Sequence, residues 1–160
     1  MERFNAYFDS PLGLLKIYSD NSFVYSIEFV REKEDDGESC VKPINECINQ
    51  LKEYFEGKRE NFNLKLFIAG TEFQKKVWRE LQKIPYGKIS TYKDIARNIN
   101  APKSCRAVGN ACNKNKLAII IPCHRVISSA GKLSGYAGSP EIKKRLLELE
   151  QPKNRSGKIY

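Results

Sequence analysis

A cysteine and the only histidine of the chain stand side by side in Ile121-Pro122-Cys123-His124-Arg125-Val126. A cysteine thiolate is a soft, strong nucleophile, and an adjacent imidazole can take the thiol proton directly or through one water. Neighbouring residues on a strand point to opposite faces, so a relay from Cys123 to His124 needs a turn, which Pro122 helps supply. A histidine acting as base also needs a group that fixes its tautomer and stabilises the imidazolium. The second half of the chain offers six acids: Glu72, Glu80, Asp94, Glu141, Glu148 and Glu150. Glu148 and Glu150 close the segment SPEIKKRLLELE, whose spacing predicts a helix burying Ile142, Leu146 and Leu149. Residue chemistry alone leaves both glutamates open as the histidine's partner. Cys40, Cys47, Cys105 and Cys112 form no C-x-x-C pair and read as reduced thiols, packing as small apolar groups. One histidine cannot complete the paired ligand spacings of a zinc site, so neither a metal nor a cofactor is expected.

These groups need elements to hold them. The run LAIII predicts a buried strand that ends at Pro122 and delivers Cys123 where the ladder stops. At 160 residues and 41% hydrophobic composition, the chain can pack one domain or two small ones. Charge divides it. Residues 1–70 carry nine basic and thirteen acidic side chains, a balance of −4, whereas 71–160 carry nineteen and six, a balance of +13. A lysine-rich solvated surface would not spare one half, so the second half is expected to meet a polyanion. No apolar run is long enough to span a bilayer, and MERFNAYFDS lacks the core of a signal peptide, so a cytoplasmic protein is expected, nuclear in a eukaryote.

The first thirty residues predict a hairpin or meander, followed by the charged loop REKEDDGES. Ile44, Cys47, Ile48, Leu51 and Phe55 recur at helical spacing, with Gly57 at the C-terminal end. NLKLFIAG predicts a short strand, and the boundary falls near Ala69–Thr71. Thr71 is a candidate N-cap for a helix with Phe73, Val77, Trp78, Leu81 and Ile84 on its apolar face. Ser90 or Thr91 can cap a short helix that Asn100-Ala101-Pro102 breaks, and a second, small-residue helix begins at 102–104. Two short helices around a tight break form the pattern of a helix-turn-helix. The expected class is α+β: residues 1–69 with a mainly antiparallel sheet and a helix, then 70–160, mainly helical, with the helix-turn-helix and Cys123.

Taken together, IPCHRV, the preceding RAVGNA and Asn115, and the following GYAG and LLELE resemble the O6-alkylguanine-DNA alkyltransferases over residues 71–150. The resemblance implies that Cys123 accepts the alkyl group, that His124 activates it through a water, and that Glu150 rather than Glu148 orients the histidine. It makes Asn115 a brace for the turn and Tyr92 a donor to guanine N3. Arg106 becomes the finger that fills the base stack when the nucleotide flips out. Tyr136 and Val126 line the implied alkyl pocket, with Ala137, a serine in many relatives, offering its backbone N–H to O6. Ser104, Arg106, Ala107, Gly109 and Asn110 are the implied DNA contacts, on a helix lying in the minor groove of the duplex. The N-terminal zinc ligands of some eukaryotic relatives cannot be assembled from one histidine.

The implied function is direct reversal of DNA damage: irreversible, single-use transfer of an alkyl group from O6-alkylguanine, with O4-alkylthymine a second candidate. The expected partner is double-stranded DNA with a flipped lesion, bound by a monomer away from any membrane. Two other readings compete. A cysteine hydrolase would take its histidine from elsewhere in the chain and has no need of a basic half. A helix-turn-helix regulator with Cys123 as sensor would dimerise on half-sites, and no dimerisation element is evident.

Overall fold

The structure is a computed structural model that describes residues 2–133, 136 and 139–152. By packing, the chain divides into two units. One runs through Ile68 and takes in Lys116–Ala118, and the other comprises Ala69–Asn115 and the chain from Ile119 onward.

In the first unit, β1 (Phe4–Ser10), β2 (Gly13–Ser19) and β3 (Val24–Val30) form an antiparallel meander in the order β1-β2-β3. Ser10 pairs with Gly13, and Ile17 sits opposite Ile27. Leu15, Ile17 and Ile27 have no exposed surface, and neither do Ile44, Cys47, Leu51 and Tyr54 of α1 (Lys42–Phe55). Burying each large aliphatic side chain is worth about 1.5–3 kcal/mol, so this shared layer holds helix to sheet. Gly57, at φ 75°, ends α1: its N–H donates to Tyr54 O (3.1 Å), and Lys58 N–H donates to Glu53 O (2.8 Å). That is a Schellman closure, which the left-handed residue makes possible. NLKLFIAG differs from its expectation. It makes one parallel bridge, Val24 with Leu66, through Val24 N to Lys65 O and Phe67 N to Val24 O, both 2.9 Å. It meets only the start of β3, so no ladder develops. Leu117 makes a second parallel bridge, to Ile27, with Ile27 N donating to Lys116 O (2.8 Å).

In the second unit, Thr71 caps α2 (Glu72–Leu81) through a reciprocal box. Gln74 N donates to Thr71 Oγ1 (3.1 Å), and Thr71 N donates to Gln74 Oε1 (3.0 Å). Trp78 Nε1 donates to Ala111 O (2.9 Å), tying α2 to α4 (Cys105–Asn113). Thr91, not Ser90, caps α3 (Tyr92–Asn98), accepting from Asp94 N at 3.0 Å. Asn100, at φ 61°, closes α3, with Ala101 N donating to Ala96 O (2.9 Å) and Asn100 N to Arg97 O (3.0 Å). The α3–α4 pair is the expected helix-turn-helix. β4 (Ser90–Thr91) pairs in parallel with β5 (Val126–Ile127), and α5 (Pro140–Leu149) packs against the segment before β5.

Candidate active site

The chain approaches Cys123 by a route the sequence does not predict. LAIII is a buried turn rather than a strand, with Ile119 at φ 72° and Ile119 and Ile121 each 1% exposed. A left-handed β-branched residue costs on the order of 1–2 kcal/mol, and dense packing is what holds it there. The apolar run therefore reports burial, not ladder pairing. Pro122 then opens a 3-10 turn, Cys123–Arg125, in which Cys123 N donates to Ile121 O (2.8 Å) and Arg125 N to Pro122 O (3.0 Å). The turn required for Cys123 and His124 to work together is present.

Asn115 braces this turn from the end of α4. Its Nδ2 donates to Ile121 O at 2.9 Å and to Cys123 Sγ at 3.2 Å. On the far side, His124 Nε2 lies 2.7 Å from Glu150 Oε2, and neither side chain has any exposed surface. The carboxylate beside His124 is that of Glu150, while Glu148 is exposed. Arg125 grips the same carboxylate as a fork, Nε to Oε1 at 2.8 Å and Nη2 to Oε2 at 3.0 Å, while its Nη1 donates to Ile84 O at 2.8 Å.

The electrostatics follow from this geometry. Burial alone would raise Glu150, but the neighbouring His124 and Arg125 together hold it below the usual carboxylate range. Burial lowers the pKa of His124, with Glu150 opposing only in part. We take the histidine as neutral, so the permanent charge of Arg125 is what keeps the carboxylate ionised. An ionised carboxylate can only accept, so the imidazole proton sits on Nε2. Nδ1, which has no hydrogen-bond partner among the described residues, is then the basic nitrogen. Burial raises the Cys123 thiol, while the Asn115 amide and the charge of Lys143 pull the other way.

The other expected pocket residues belong to the same unit. Tyr136, nine-tenths buried, is held protonated by burial first and then by the charges of Cys123 and Glu150. Val126 is wholly buried on β5. Ala137 lies outside the described residues. The candidate DNA-contacting residues sit together on α4: Arg106, Ala107 and Asn110 are exposed, and Ser104 and Gly109 are half-buried. A hollow of about 450 Å³ is lined by Arg106, Gly109 and Asn110, with Tyr92, Cys105 and Ser129. Among the described residues no cluster of His, Cys, Asp and Glu could hold a metal ion. What the arrangement offers is a braced thiol, a base of fixed tautomer and an exposed small-residue helix beside a hollow.

Residues 72–152 match the family described as "6-O-methylguanine DNA methyltransferase, DNA binding domain", and residues 4–68 match its "ribonuclease-like domain". The chain belongs to the 6-O-methylguanine DNA methyltransferase family. A Methanosarcina acetivorans relative named "Methylated-DNA--protein-cysteine methyltransferase" is 45% identical over 150 residues, 91% of this chain and 96% of that protein. The crystal structure of the Mycobacterium tuberculosis O6-methylguanine methyltransferase superposes with a TM-score of 0.85 at 36% identity, covering 96% of this chain and 97% of that one. A Mycobacterium tuberculosis structure in complex with DNA gives 0.83 at 39% identity, covering 92% of each chain.

Two residues of this family member escape sequence reasoning. Arg125 reads as the tail of the motif, yet it is buried and carries the carboxylate. Lys143 lies outside the expected apolar face, yet α5 buries it with Leu146 and Leu147, while the expected Ile142 and Leu149 are half-buried. The seven-residue spacing of Lys143 and Glu150 was the available signal, since it places both on one helical stripe.

Proposed function

We propose that Cys123 is the acceptor in a single-use alkyl transfer from DNA, with residues 70–160 binding the duplex and carrying the reaction. The activity is that of the family: direct reversal of damage, moving an alkyl group from O6-alkylguanine in DNA to a cysteine of the protein. The observation that carries the assignment is the placement of Cys123 between two supports. Asn115 donates to its sulfur at 3.2 Å, and His124 beside it is locked to Glu150 at 2.7 Å.

In this reading the thiol proton passes through a water to His124 Nδ1, and Glu150 stabilises the imidazolium that forms. Cys123 Sγ attacks the alkyl carbon in line. The S–C bond forms as the C–O6 bond breaks, and the electron pair leaves with guanine. Tyr92 O–H donates to guanine N3, making the base a better leaving group. Tyr136 and Val126 enclose the alkyl group. The product is a thioether that water does not cleave, so each molecule reacts once. Arg106 supports the flipped state. It is exposed on α4 and makes no hydrogen bond or ion pair among the described residues, so it is available to enter the stack. Ser104, Ala107, Gly109 and Asn110 keep the helix slim enough for the minor groove.

No described helix is long and apolar enough to cross a membrane. We place the protein's work in the cytoplasm, or in the nucleus of a eukaryote, as a monomer on double-stranded DNA. Mass spectrometry after mixing with an O6-methylguanine duplex tests the assignment. One methyl group on Cys123 is expected, and none on Cys123→Ala. Stoichiometric methylation of another cysteine would overturn it. An O4-methylthymine duplex in the same assay decides the second substrate.

A further inference from the structure

In the first unit, the buried carboxylate of Asp20 holds the turn between β2 and β3. Its Oδ1 accepts from the N–H groups of Ser22 and Phe23, and its Oδ2 accepts from Tyr25 Oη, each at 2.6 Å. One side chain thus fixes the backbone at Phe23 and the direction of the Tyr25 ring. The segment after α1 brings a third ring. Phe67 N donates to Val24 O at 2.9 Å, and the Phe67 and Tyr25 ring centres are 5.0 Å apart. The Arg3 guanidinium lies 5.7 Å from the centre of the Tyr25 ring. Among the described residues, Phe23 and Phe67, 39% and 48% exposed, are the large apolar side chains left in solvent. Folding gains little from rings left in water, and a cluster of them marks an interaction surface.

Beside the rings lies a hollow of about 490 Å³, lined by Val24 and by the polar residues Asn21, Lys42, Glu46, Asn63 and Lys65. Lys65 and Phe67 stand two residues apart on an extended segment and share its exposed face. Residues 1–70 are acidic overall, yet Arg3, Lys42 and Lys65 gather here against Glu46, which Lys42 already meets at 3.8 Å. The surface therefore suits an anionic partner with flat faces to stack. We propose that it binds single-stranded nucleic acid, with unpaired bases on Phe23, Tyr25 and Phe67 and phosphates drawn to Arg3, Lys42 and Lys65. Every base has a face that can stack on an aromatic ring, and cations along the backbone complete this sequence-tolerant mode of binding. The amides of Asn21 and Asn63 can both donate to and accept from base edges. A duplex keeps its bases stacked on one another and withholds those faces, and an apolar peptide would leave the cations unanswered. The site is separate in its chemistry from alkyl transfer and does not depend on which cysteine is the acceptor.

The first test needs no variant: the full chain is photocross-linked to a short oligothymidylate carrying 5-iododeoxyuridine, then digested with trypsin and read by mass spectrometry. Attachment is expected at Phe23 or Tyr25 in the peptide 17–31, or at Phe67 in the peptide 66–75. Attachment confined to residues 69–160, or none, overturns the proposal. The second test measures affinity for the same labelled strand by fluorescence anisotropy. Replacing both exposed rings, Phe23→Ala with Phe67→Ala, should weaken binding about fivefold or more, the loss that removing stacked bases brings. The rate with O6-benzylguanine, a reaction of the other unit, should keep its wild-type value. Unchanged affinity for the strand would refute stacking. A dimer that the two substitutions abolish, without attachment of the strand to these rings, would assign the surface to a second copy of the chain and overturn the proposal.

Discussion

Replacing Arg125 by Met tests the carboxylate cluster most directly. The guanidinium makes three hydrogen bonds, two to Glu150 at 2.8 and 3.0 Å and one to Ile84 O at 2.8 Å. Methionine fills much of the volume but takes the fork away from Glu150, which is 1% exposed and keeps His124 and a long contact from Gly87 N at 3.4 Å among its partners. Removing one partner of a buried ion pair costs about 3–5 kcal/mol, because the other charge stays buried. We expect a loss of that size in urea denaturation at pH 7, with the m-value unchanged. The acid side supplies a second readout. Glu150 has a depressed folded pKa, so its contribution is complete above the ordinary carboxylate range and is lost as pH falls through the lower folded value. Without Arg125 that loss should begin at higher pH. The rate with O6-benzylguanine should fall more at pH 6 than at pH 8, since a protonated Glu150 no longer fixes the Nε2 proton. Arg125→Lys keeps a charge but not the fork, and should fall between. A loss under about 1 kcal/mol with an unchanged acid limb would refute the reasoning, because the partners that remain would then suffice to hold the carboxylate.

Arg106→Ala should slow repair of duplex DNA far more than reaction with free O6-benzylguanine, since only the duplex needs a base extruded and replaced; equal losses would assign Arg106 to the fold. Binding to undamaged duplexes should weaken steeply with salt and vary little with sequence, as phosphate contacts from the basic half dictate. Competition among unrelated duplexes checks this, and a strong preference for one undamaged sequence would favour a regulator. Thr71→Ala should cost about 0.5–2 kcal/mol in denaturation through the lost capping box while leaving the O6-benzylguanine rate unchanged.

Local chemistry was legible wherever one residue does one job. Thr71 as a cap, Asn100 as a helix stop and Gly57 after α1 each follow from what their side chains permit, and the structure uses each in that way. The candidate site at Cys123 stood out because a thiol, a proline and the sole histidine in sequence admit few uses. What the sequence hid lies where burial and polarity part company. Ile119-Ile120-Ile121 read as strand because β-branched residues favour extended backbone, yet packing holds Ile119 in the left-handed region. The expected face of α5 counted only apolar residues, so it left out Lys143 and was rotated from the buried face observed.

Both residues missed by patterning are cations, and their division of labour explains how a buried site tolerates a carboxylate beside a nucleophile. Glu150 must be ionised to fix the tautomer of His124, but an uncompensated anion there would oppose ionisation of Cys123. Arg125 removes that conflict. Its fork keeps Glu150 charged as an acceptor while cancelling the field it would cast on the sulfur. The histidine can then be oriented by a carboxylate without the thiol being penalised by it. With that pair neutralised, the thiol answers chiefly to burial on one side and to Asn115 and Lys143 on the other. The order of charges along the two elements follows from this: Arg125 next to the base on the turn, Glu150 at the end of α5, and Lys143 two turns earlier on the same stripe, toward Tyr92. Exchanging the two cations' roles would not work, because a lysine cannot grip both carboxylate oxygens as a planar fork.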